Sequence, residues 1–189
     1  IAMAAYDSPA DTRQHIQTQL QRADRLVSDM LVYSGGLHLQ ISSVPLAALV
    51  NNLLSQSDTQ QVNCQVLIAD DLHMAGDFQR LQQVFINLID NALAYVRNMP
   101  DGKLLISAQQ QAQQVVIQLH NNGPAIESSV QGEAMFQPFV TKRSGGSGLG
   151  LAIVRRIVEA HGGRIRHRSD CHWPVTFELS FPQPTHSGD

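Results

Sequence analysis

The stretch DFQRLQQVFINLIDNALAY, residues 77–95, decides the fold because it combines an amphipathic helix with an unusual polar face. Apolar residues recur at spacings of three and four, which predicts a buried stripe, and Asp77 occupies the N-cap position. The stripe consists of Leu81, Val84, Phe85, Leu88, Ile89 and Ala92. On another face Asn87, Asn91 and Tyr95 follow at intervals of one turn. Two carboxamides on one face indicate a ligand site, although a face that only contacts water is the simpler explanation of this helix considered alone.

The composition is that of a globular chain with one domain and an appendage. The chain has 189 residues, of which 43% are hydrophobic, and this is enough to bury a core. Its formal net charge is −3, and the 13 basic residues are scattered except for one cluster at Arg164, Arg166, His167 and Arg168. A nucleic-acid-binding surface needs a broader basic patch. We therefore expect no nucleic acid partner.

The cysteines and the apolar runs bear on the compartment. Cys64 and Cys171 are isolated and lack metal-ligand or redox spacing, so we expect buried thiols in a reducing compartment, the cytoplasm. No apolar run reaches membrane-spanning length and no signal peptide is visible. The sequence begins at Ile1 and not at Met, which indicates a fragment. Any membrane anchor is expected in a segment outside it.

Residues 1–36 predict a long helix that needs a partner. Ser8 and Asp11 have capping-box spacing, and Pro9 suits the first helical position. A heptad-like apolar seam follows and ends at the glycine pair 35–36. Its residues are Ile16, Leu20, Ala23, Val27 and Met30. We expect a dimeric helical bundle in which the residues before Ser8 end an antiparallel helix, and docking of the helix within its own chain is the alternative.

The remainder of the chain alternates strands with helices and predicts an α+β fold. Alternation of apolar and polar residues indicates strands, and helical periodicity indicates helices, the first opened by Pro45 and the last closed by the glycine pair 162–163. The expected strands are 37–44, 62–68, 72–75, 103–108, 115–120, 164–168 and 175–181, and the expected further helices are 46–54 and 149–161. The Gln-rich stretch 109–114 is expected to be a solvated hairpin end. We expect a two-layer α/β sandwich at 37–183, with a mixed sheet and helices on one face, and a tail at 184–189.

A long connection between His120 and Leu149 shows little sign of a packed element, which in a compact domain is typical of a functional loop or of disorder. It contains NNGPAI at 121–126, MFQPF at 135–139 and GGSGLGL at 145–151. The last cluster opens a helix, where free backbone amides and the helix dipole favour phosphate. Flexible loop composition explains a glycine-rich segment about as often, so this cluster alone is a weak signal.

In this order, the Asn-bearing helix, NNGPAI, FQPF and GGSGLGLA resemble the N, G1, F and G2 boxes of sensor histidine kinases. The resemblance covers residues 77–163 and implies the Bergerat ATP-binding fold shared with gyrase B, Hsp90 and MutL, with ATP and Mg²⁺ as cofactors. Residues 8–36 resemble the second helix of the dimerisation and phosphotransfer hairpin. The phosphoacceptor histidine is then expected upstream of this chain, since no histidine here has the HExxxP context of the family.

The resemblance assigns the two asparagines of the helix to nucleotide chemistry. Asn91 would give a carboxamide oxygen to Mg²⁺, a hard cation that takes few protein oxygens beside the phosphates. Asn87 would lie near the metal and the phosphates, at the catalytic position. The ATPase branches of the superfamily commonly have a Glu there as general base, and Asn is a poor base, so Asn87 favours phosphoryl transfer over hydrolysis. Tyr95 would flank the pocket, and Ala94 replaces the usual basic residue.

The other implied nucleotide contacts come from the long connection. Asn121 stands where the family has an Asp that accepts a hydrogen bond from the adenine amino group; an amide keeps the acceptor oxygen but loses charge assistance, about 1 kcal/mol. Ala125 replaces the usual second glycine. Phe136 and Phe139 are expected to pack a short lid against the core. The remaining contacts are expected from Gly123, Ile126, Thr141, Lys142, Gly146, Ser147, Gly148, Leu149, Gly150 and Leu151.

These expectations describe the ATP-binding kinase core of a sensor histidine kinase that forms a homodimer through its N-terminal helix. It would transfer the γ-phosphoryl group of Mg-ATP to the upstream histidine, for relay to an Asp of a response regulator receiver domain. Two alternatives stay open at this point. A nucleotide-insensitive dimerisation and docking module would explain Ala94, Asn121 and Ala125 as a decayed pocket, and an ATPase switch of the gyrase or Hsp90 type is disfavoured by Asn87.

Overall fold

The computed structural model describes residues 35–127, 132–141, 147–168 and 172–183, with isolated positions between 12 and 30. The chain divides into two compact units, Ile1–Gly36 and Leu37–Asp189. In the first unit, the described positions before residue 35 are helical and exposed. They are Thr12, Arg13, Ile16, Gln17, Leu20, Val27 and Met30. None of the helices among the described residues combines the length and the hydropathy needed to span a bilayer.

The second unit alternates strands and helices from its beginning to its end. Its elements in chain order are β1 (Ile41–Pro45), α1 (Leu46–Gln56), β2 (Asn63–Leu67), β3 (His73–Asp77), α2 (Phe78–Val96), β4 (Lys103–Gln111), β5 (Gln114–Asn121), a 3-10 helix (Gly132–Phe136), α3 (Gly150–Ala160), β6 (Arg164–Arg168) and β7 (Val175–Pro182). The Asn-bearing helix predicted from the sequence is α2. Its predicted apolar stripe is buried, together with Leu93 and Val96.

Five of the strands form one mixed sheet in the order β2-β4-β5-β7-β6. β2 runs parallel to β4, and the other neighbouring pairs are antiparallel. β1 and β3 form a separate antiparallel pair. The two sheets are tied together at the end of β7, where the Gln183 side chain donates a hydrogen bond to the His73 carbonyl at 2.7 Å. The mixed sheet expected from the sequence is confirmed.

The core lies between one face of the five-stranded sheet and the helices. In β4 and β5 alternate residues are buried, as the two-residue period of a strand requires, and Ile106 and Ile117 are almost fully enclosed. From the helix side, α3 contributes a stripe of its own: Ala152, Ile153, Val154, Ile157 and Val158. The intervening positions of these two strands are mostly polar, with Leu105 and Val116 as exceptions. The expected α+β class is therefore confirmed.

Asp77 joins three parts of this unit at the N-terminus of α2. One carboxylate oxygen accepts the Arg80 backbone N–H at 3.0 Å, which is the predicted N-cap, and the other accepts the Gln40 backbone N–H at 2.8 Å. The Asp77 backbone N–H donates to His161 Nε2 at 3.0 Å, and His161 Nδ1 donates to the Ile157 carbonyl at 2.7 Å. The segment that enters the unit, the start of α2 and the end of α3 are thus bonded at one point.

Several predicted boundaries were wrong, and the strand pairing explains why. β1 begins at Ile41 and not at residue 37, because β3, its partner, ends at Asp77 opposite Ile41. Pro45 ends β1 and precedes the first helical residue of α1, which continues to Gln56. The Gln-rich stretch is mostly strand, because cross-strand pairing extends to the pair of Gln111 with Gln114 and leaves only a two-residue turn.

The long connection contains one packed piece, the 3-10 helix. Its Met135 and Phe136 are buried, and Phe136 packs edge-on against Phe177 with the ring centroids 6.5 Å apart. Phe136 therefore packs against the core as expected. The same expectation for Phe139 is wrong: its side chain is 68% exposed, and the backbone turns there through a positive φ of 64°.

The cysteine prediction is partly corrected. Cys64 is a free thiol in β2, but it is half-buried and not fully enclosed. Burial raises the pKa of its thiol, so it is protonated at neutral pH. Cys171 lies outside the described residues.

Candidate functional site

The polar face of α2 forms one wall of the candidate site. Asn87 and Asn91 are both half-buried on this helix, one turn apart, and Tyr95 follows with 46% of its surface exposed. The helix holds them in this order because its opposite face is fixed in the core by the apolar stripe. The three side chains predicted from the spacing are therefore presented along one line.

The end of β5 forms a second wall beside Tyr95. Asn121 is only 3% exposed, and its side-chain oxygen accepts the Gly123 backbone N–H at 3.0 Å. A Cβ atom at Gly123 would lie 2.8 Å from this oxygen and 3.0 Å from Tyr95 Cβ. Glycine at position 123 thus keeps open the space between the loop and α2. A carboxamide oxygen carries two lone pairs, and the bond from Gly123 uses one of them.

Asn122, the neighbour of Asn121, has a structural role. Its side-chain oxygen accepts the Lys103 backbone N–H at 2.7 Å, and its side-chain nitrogen donates to the Asp101 carbonyl at 2.8 Å. These bonds fasten the end of β5 to the turn before β4. Asn121 thus belongs to a wall of the site, whereas Asn122 holds the strand that supports this wall.

The start of α3 forms the third wall. Its N-cap residue, Leu149, makes no side-chain capping bond, and the Ser147 hydroxyl oxygen accepts the Leu149 N–H just before the helix, at 3.2 Å. A Cβ at Gly150 would lie 3.7 Å from the Asn87 side-chain oxygen, so the carboxamide of Asn87 faces the first residue of α3. Backbone amides of the first turn, at Gly150 and Leu151, are therefore available beside Asn87.

Gly148 shapes the turn that leads into α3. Its φ is +69°, and a Cβ there would lie 2.6 Å from the Phe139 carbonyl carbon. Within the long connection, the backbone at Gly148 thus contacts the backbone at Phe139. Leu149 is 2% exposed, so its side chain belongs to the core and only its backbone lies near the site.

The remaining predicted contacts lie at the rim or outside the described residues. Ala125 and Thr141 are exposed, and Ile126 is half-buried. Lys142 and Gly146 lie outside the described residues. The geometry thus brings together Asn87, Asn91, Tyr95, Asn121, Gly123 and Gly150.

The donor groups at this place suit a nucleotide that brings its own metal. Among the described residues, no group of three or more His, Cys, Asp or Glu side chains is arranged to hold a metal ion. The oxygens near α3 are those of carboxamides, and Mg²⁺ takes one or two protein oxygens when phosphates supply the rest. Uncapped helix amides beside such a metal suit phosphate oxygens. The residues present therefore fit Mg-ATP.

The role of Arg155, which holds the 3-10 helix to α3, was not predicted from the sequence. Its guanidinium forms an ion pair with Glu133 and lies 5.9 Å from the centre of the Phe136 ring. It also pairs with Glu159, one turn along α3, and hydrogen bonds from Arg155 to Glu159 and Glu133 raise its pKa. The Glu159 pair is visible as an i,i+4 spacing, whereas Glu133 comes into reach only through the fold.

Comparisons with known proteins place this geometry in a family. Residues 76–185 match the family described as histidine kinase-, DNA gyrase B- and HSP90-like ATPase. The alginate biosynthesis sensor protein KinB of Pseudomonas aeruginosa is 30% identical over 192 residues, which cover 93% of this chain and 32% of KinB. The chain spans about a third of the length of the curated relatives that it matches.

Solved structures agree with the sequence match. The catalytic domain of histidine kinase ThkA superposes with a TM-score of 0.68 at 29% identity, over 76% of this chain and 96% of that one. ThkA in complex with the response regulator protein TrrA superposes with a TM-score of 0.72 at 28% identity, over 94% of this chain and 53% of that one. The family match covers more than half of the chain, and the relatives are sensor kinases. The chain therefore belongs to the histidine kinase-, DNA gyrase B- and HSP90-like ATPase family and carries the ATP-binding catalytic domain of a sensor histidine kinase.

Proposed function

We propose that the chain binds Mg-ATP between α2, the end of β5 and the start of α3, and that it directs the γ-phosphoryl group to a histidine of the helical hairpin upstream. One observation carries this proposal. The Asn87 carboxamide, on α2, faces Gly150 at the start of α3, and Asn91 lies one turn further along α2. The family match to ATP-binding domains supports the nucleotide, and a nucleotide-insensitive module is not favoured.

The residues of this chain bind and orient. Bound Mg-ATP supplies the phosphoryl group and the metal charge. We infer that Asn91, and Asn87 beside it, offer carboxamide oxygens to the metal, while the first backbone N–H groups of α3 donate hydrogen bonds to the phosphate oxygens. We propose that the Asn121 side-chain oxygen accepts a hydrogen bond from the adenine amino group, with the lone pair that the Gly123 N–H does not use. Positioning of this kind, with charge neutralisation, accounts for most of the catalysis of phosphoryl transfer.

Asn87 favours transfer to a protein over hydrolysis. A carboxamide neither takes nor releases a proton near neutral pH, so it cannot act as general base towards a water molecule. Gly150, which Asn87 faces across the site, has no side chain that could act as a base in its place. We therefore expect slow ATP hydrolysis relative to phosphoryl transfer.

The proposed partners are a second copy of the chain and a response regulator. The described apolar residues of the N-terminal helix, Ile16, Leu20, Val27 and Met30, are between 53% and 60% exposed, which supports pairing with another helix. The complex of ThkA with TrrA supports a response regulator as the acceptor of the phosphoryl group. A cytoplasmic location stays a prediction.

Thermal unfolding with and without Mg-ADP tests the nucleotide site. A ligand that binds only the folded state stabilises it by about 2.7 kcal/mol at about 100 times its Kd, and this raises the Tm by several degrees. We expect such a rise, and we expect it to require Mg²⁺. An unchanged Tm at millimolar Mg-ADP would remove the proposed function.

Asn91→Ala separates this site from general stability. The substitution removes the proposed metal oxygen, so the Tm rise with Mg-ADP should shrink strongly while the Tm without ligand stays close to that of the parent. Asn51→Ala is the matched control, because Asn51 is exposed on α1, away from the site. Equal Mg-ADP responses in the two variants would show that Asn91 does not take part in binding.

A further inference from the structure

The sheet face that the helices leave uncovered carries a polar cavity of about 530 Å³, which we call the outer-face cavity. Its lining comes from β5, β6 and β7 and includes Gln118, Arg164, Arg166, Arg168 and Glu178. The arginines are the basic cluster that stands out in the sequence, and they alternate with Ile165, which is buried, and His167, so they point to the opposite face. The proposed nucleotide site makes no use of them.

Glu178 fixes the arginines at the floor of the outer-face cavity. Its carboxylate accepts hydrogen bonds from Arg166 Nε, from an Arg168 guanidinium nitrogen and from Gln118 Nε2, each at 2.7 Å. The Glu178 side chain is 9% exposed, whereas that of Arg166 is 57% exposed. The carboxylate is thus buried beneath guanidinium groups, and the largely exposed group of Arg166 has five N–H donors, more than Glu178 can use.

The outer-face cavity carries an excess of positive charge. Three guanidinium groups and one carboxylate give a formal charge of +2 among the lining side chains that the structure describes, although the net charge of the whole chain is −3. Among the described residues, Arg164 makes no ion pair that would neutralise it further. Charges on an edge strand such as β6 commonly prevent strand-to-strand aggregation, but that purpose requires neither a concavity nor a carboxylate that orders the arginines.

The spacing of the arginines defines the shape of a ligand. Arg164, Arg166 and Arg168 occupy alternate positions of one strand, so their Cα atoms follow one another at about 6.6 Å. An extended polypeptide has the same repeat on each of its faces. Carboxylates on every second residue of such a segment would therefore meet Arg164 and Arg166 in turn, and arginine binds carboxylates through paired N–H donors.

We propose that the outer-face cavity binds an extended acidic segment of a partner protein, with acidic residues at alternate positions. A single-stranded nucleic acid fits less well, because the described part of the lining holds no aromatic side chain on which bases could stack. A small apolar ligand fits less well again, because Val116 and Pro182 are the only apolar side chains among the described lining residues. This surface is separate from the nucleotide site, and the inference does not rest on the proposed kinase function.

Labelled peptides titrated against the whole chain test the proposal by fluorescence polarisation. One peptide, about ten residues long, alternates glutamate with serine, and a second has the same composition with its glutamates in one block. An oligothymidylate of equal charge is the third probe. The variants are Arg164→Gln and Arg166→Gln. Arg97→Gln is the matched control, because Arg97 is exposed at the end of α2 and its replacement removes the same charge from the helix side of the sheet.

The alternating peptide should bind more tightly than the block peptide and the oligonucleotide. Its affinity should fall about tenfold in Arg164→Gln and in Arg166→Gln, as the loss of one charge-assisted contact implies, and should stay unchanged in Arg97→Gln. Saturating Mg-ADP should leave it unchanged as well. Since Arg164 makes no ion pair with a described residue, its replacement does not disturb Glu178, and an unchanged Tm for that variant confirms the fold.

Any of four results of the titrations would overturn the proposal. The alternating peptide could fail to bind at low salt, or the two peptides could bind with equal affinity. The oligonucleotide could bind as tightly as the alternating peptide or more tightly, or all three arginine variants could lose the same affinity. Self-association of the chain that Arg164→Gln abolishes would name a second copy as the occupant and would also overturn it. A chain that binds the peptide but fails to respond to Mg-ADP would refute the proposed kinase function and leave this proposal intact.

Discussion

Asn121 is the residue at which this chain departs most from the pattern that its family resemblance implies. The structure shows what the replacement preserves: a buried acceptor oxygen, held in place by the Gly123 N–H at the edge of the site. A carboxylate at the same position would keep this bond and add a negative charge. The departure therefore changes the strength of the acceptor and leaves its direction alone.

Asn121→Asp should bind Mg-ADP several-fold more tightly than the parent chain at neutral pH. The reason is charge assistance in the hydrogen bond from adenine, which contributes about 1 kcal/mol. Isothermal titration calorimetry measures the change. Asn122→Asp is the control: it loses the side-chain donation to the Asp101 carbonyl, so we expect a lower Tm and no gain in affinity. An affinity that is unchanged or lower in Asn121→Asp would contradict the proposed adenine contact.

Glu178 should make the stability of the chain depend on acid pH. Burial raises the pKa of its carboxyl group, but hydrogen bonds from Arg168, Gln118 and Arg166 outweigh burial, and the pKa lies below its ordinary value of 4.5. The stability that ionised Glu178 contributes is thus fully present above that value and is lost as the pH falls through the lowered pKa.

Glu178→Gln should therefore lower the free energy of unfolding at pH 7 by about 1–3 kcal/mol, the cost of weakening hydrogen bonds to a charged group. The difference from the parent should shrink as the pH falls below 4.5. Urea unfolding over a pH series measures it. Glu159→Gln removes an exposed pair on α3, so we expect a change within about 0.5 kcal/mol. A Glu178→Gln difference that is constant with pH would rule out this account.

The helix α2 shows why some of the structure was predictable from the sequence. Its stripe, its N-cap and its line of asparagines all follow from one local period, so the sequence alone located them. The strand ends were less predictable, because they depend on pairing: β1 begins where Asp77 ends β3, and the glutamines of β4 stay in the ladder because β5 returns beside them. Local polarity favoured a loop there, and tertiary pairing overrode it.

Asp77 has two duties at the start of α2 that substitutions can separate. Asp77→Ser keeps an oxygen for the Arg80 N–H but is too short to reach Gln40 as well, whereas Asp77→Ala removes both acceptors. We expect Asp77→Ala to lose about 1 kcal/mol of stability and Asp77→Ser to lose less. Amide hydrogen exchange should accelerate at Gln40 in both variants and at Arg80 only in the alanine variant. Unchanged exchange at Gln40 in Asp77→Ser would show that the entering segment is held by other contacts.

The turn before α3 should not tolerate a side chain. Gly148→Ala places a Cβ against the Phe139 backbone and forces alanine into a left-handed conformation, so we expect a loss of at least about 1–2 kcal/mol. Gly150→Ala is the control, because its Cβ would meet Asn87 only at ordinary contact distance, 3.7 Å. Thermal unfolding compares the two. Equal Tm values for both variants would show that the turn can rearrange.

For the molecule as a whole, the division into two units predicts that the second folds alone. Every buried apolar side chain described belongs to residues 44–181, and none comes from the first unit. A fragment of residues 37–183 should therefore unfold cooperatively, with a free energy of unfolding close to that of the parent, and should keep its Mg-ADP response. Urea unfolding and the thermal shift measure both properties. A fragment that lacks a cooperative transition would place part of the folding unit before residue 37.

The site was less predictable than the fold because it is assembled from distant pieces. Asn87, Asn121 and Gly150 lie on different elements, and no local period indicates that Asn87 faces the start of α3. The order of four motifs identified the family, but the contact of Arg155 with Glu133 and the exposure of Phe139 depend on how the long connection folds back. Contacts between distant elements could not be inferred from the local patterns of the sequence.

The bond between Asp77 and Gln40 has a consequence for how such chains recombine. On the Gln40 side it uses a backbone N–H, which every residue except proline supplies, so the exposed side chain at position 40 can change while the attachment remains. Upstream modules of unrelated sequence can then be spliced before this point without redesign of the junction. The attachment then depends on one side chain, the carboxylate of Asp77. Its other partner is a backbone group, which a comparison of sequences does not reveal.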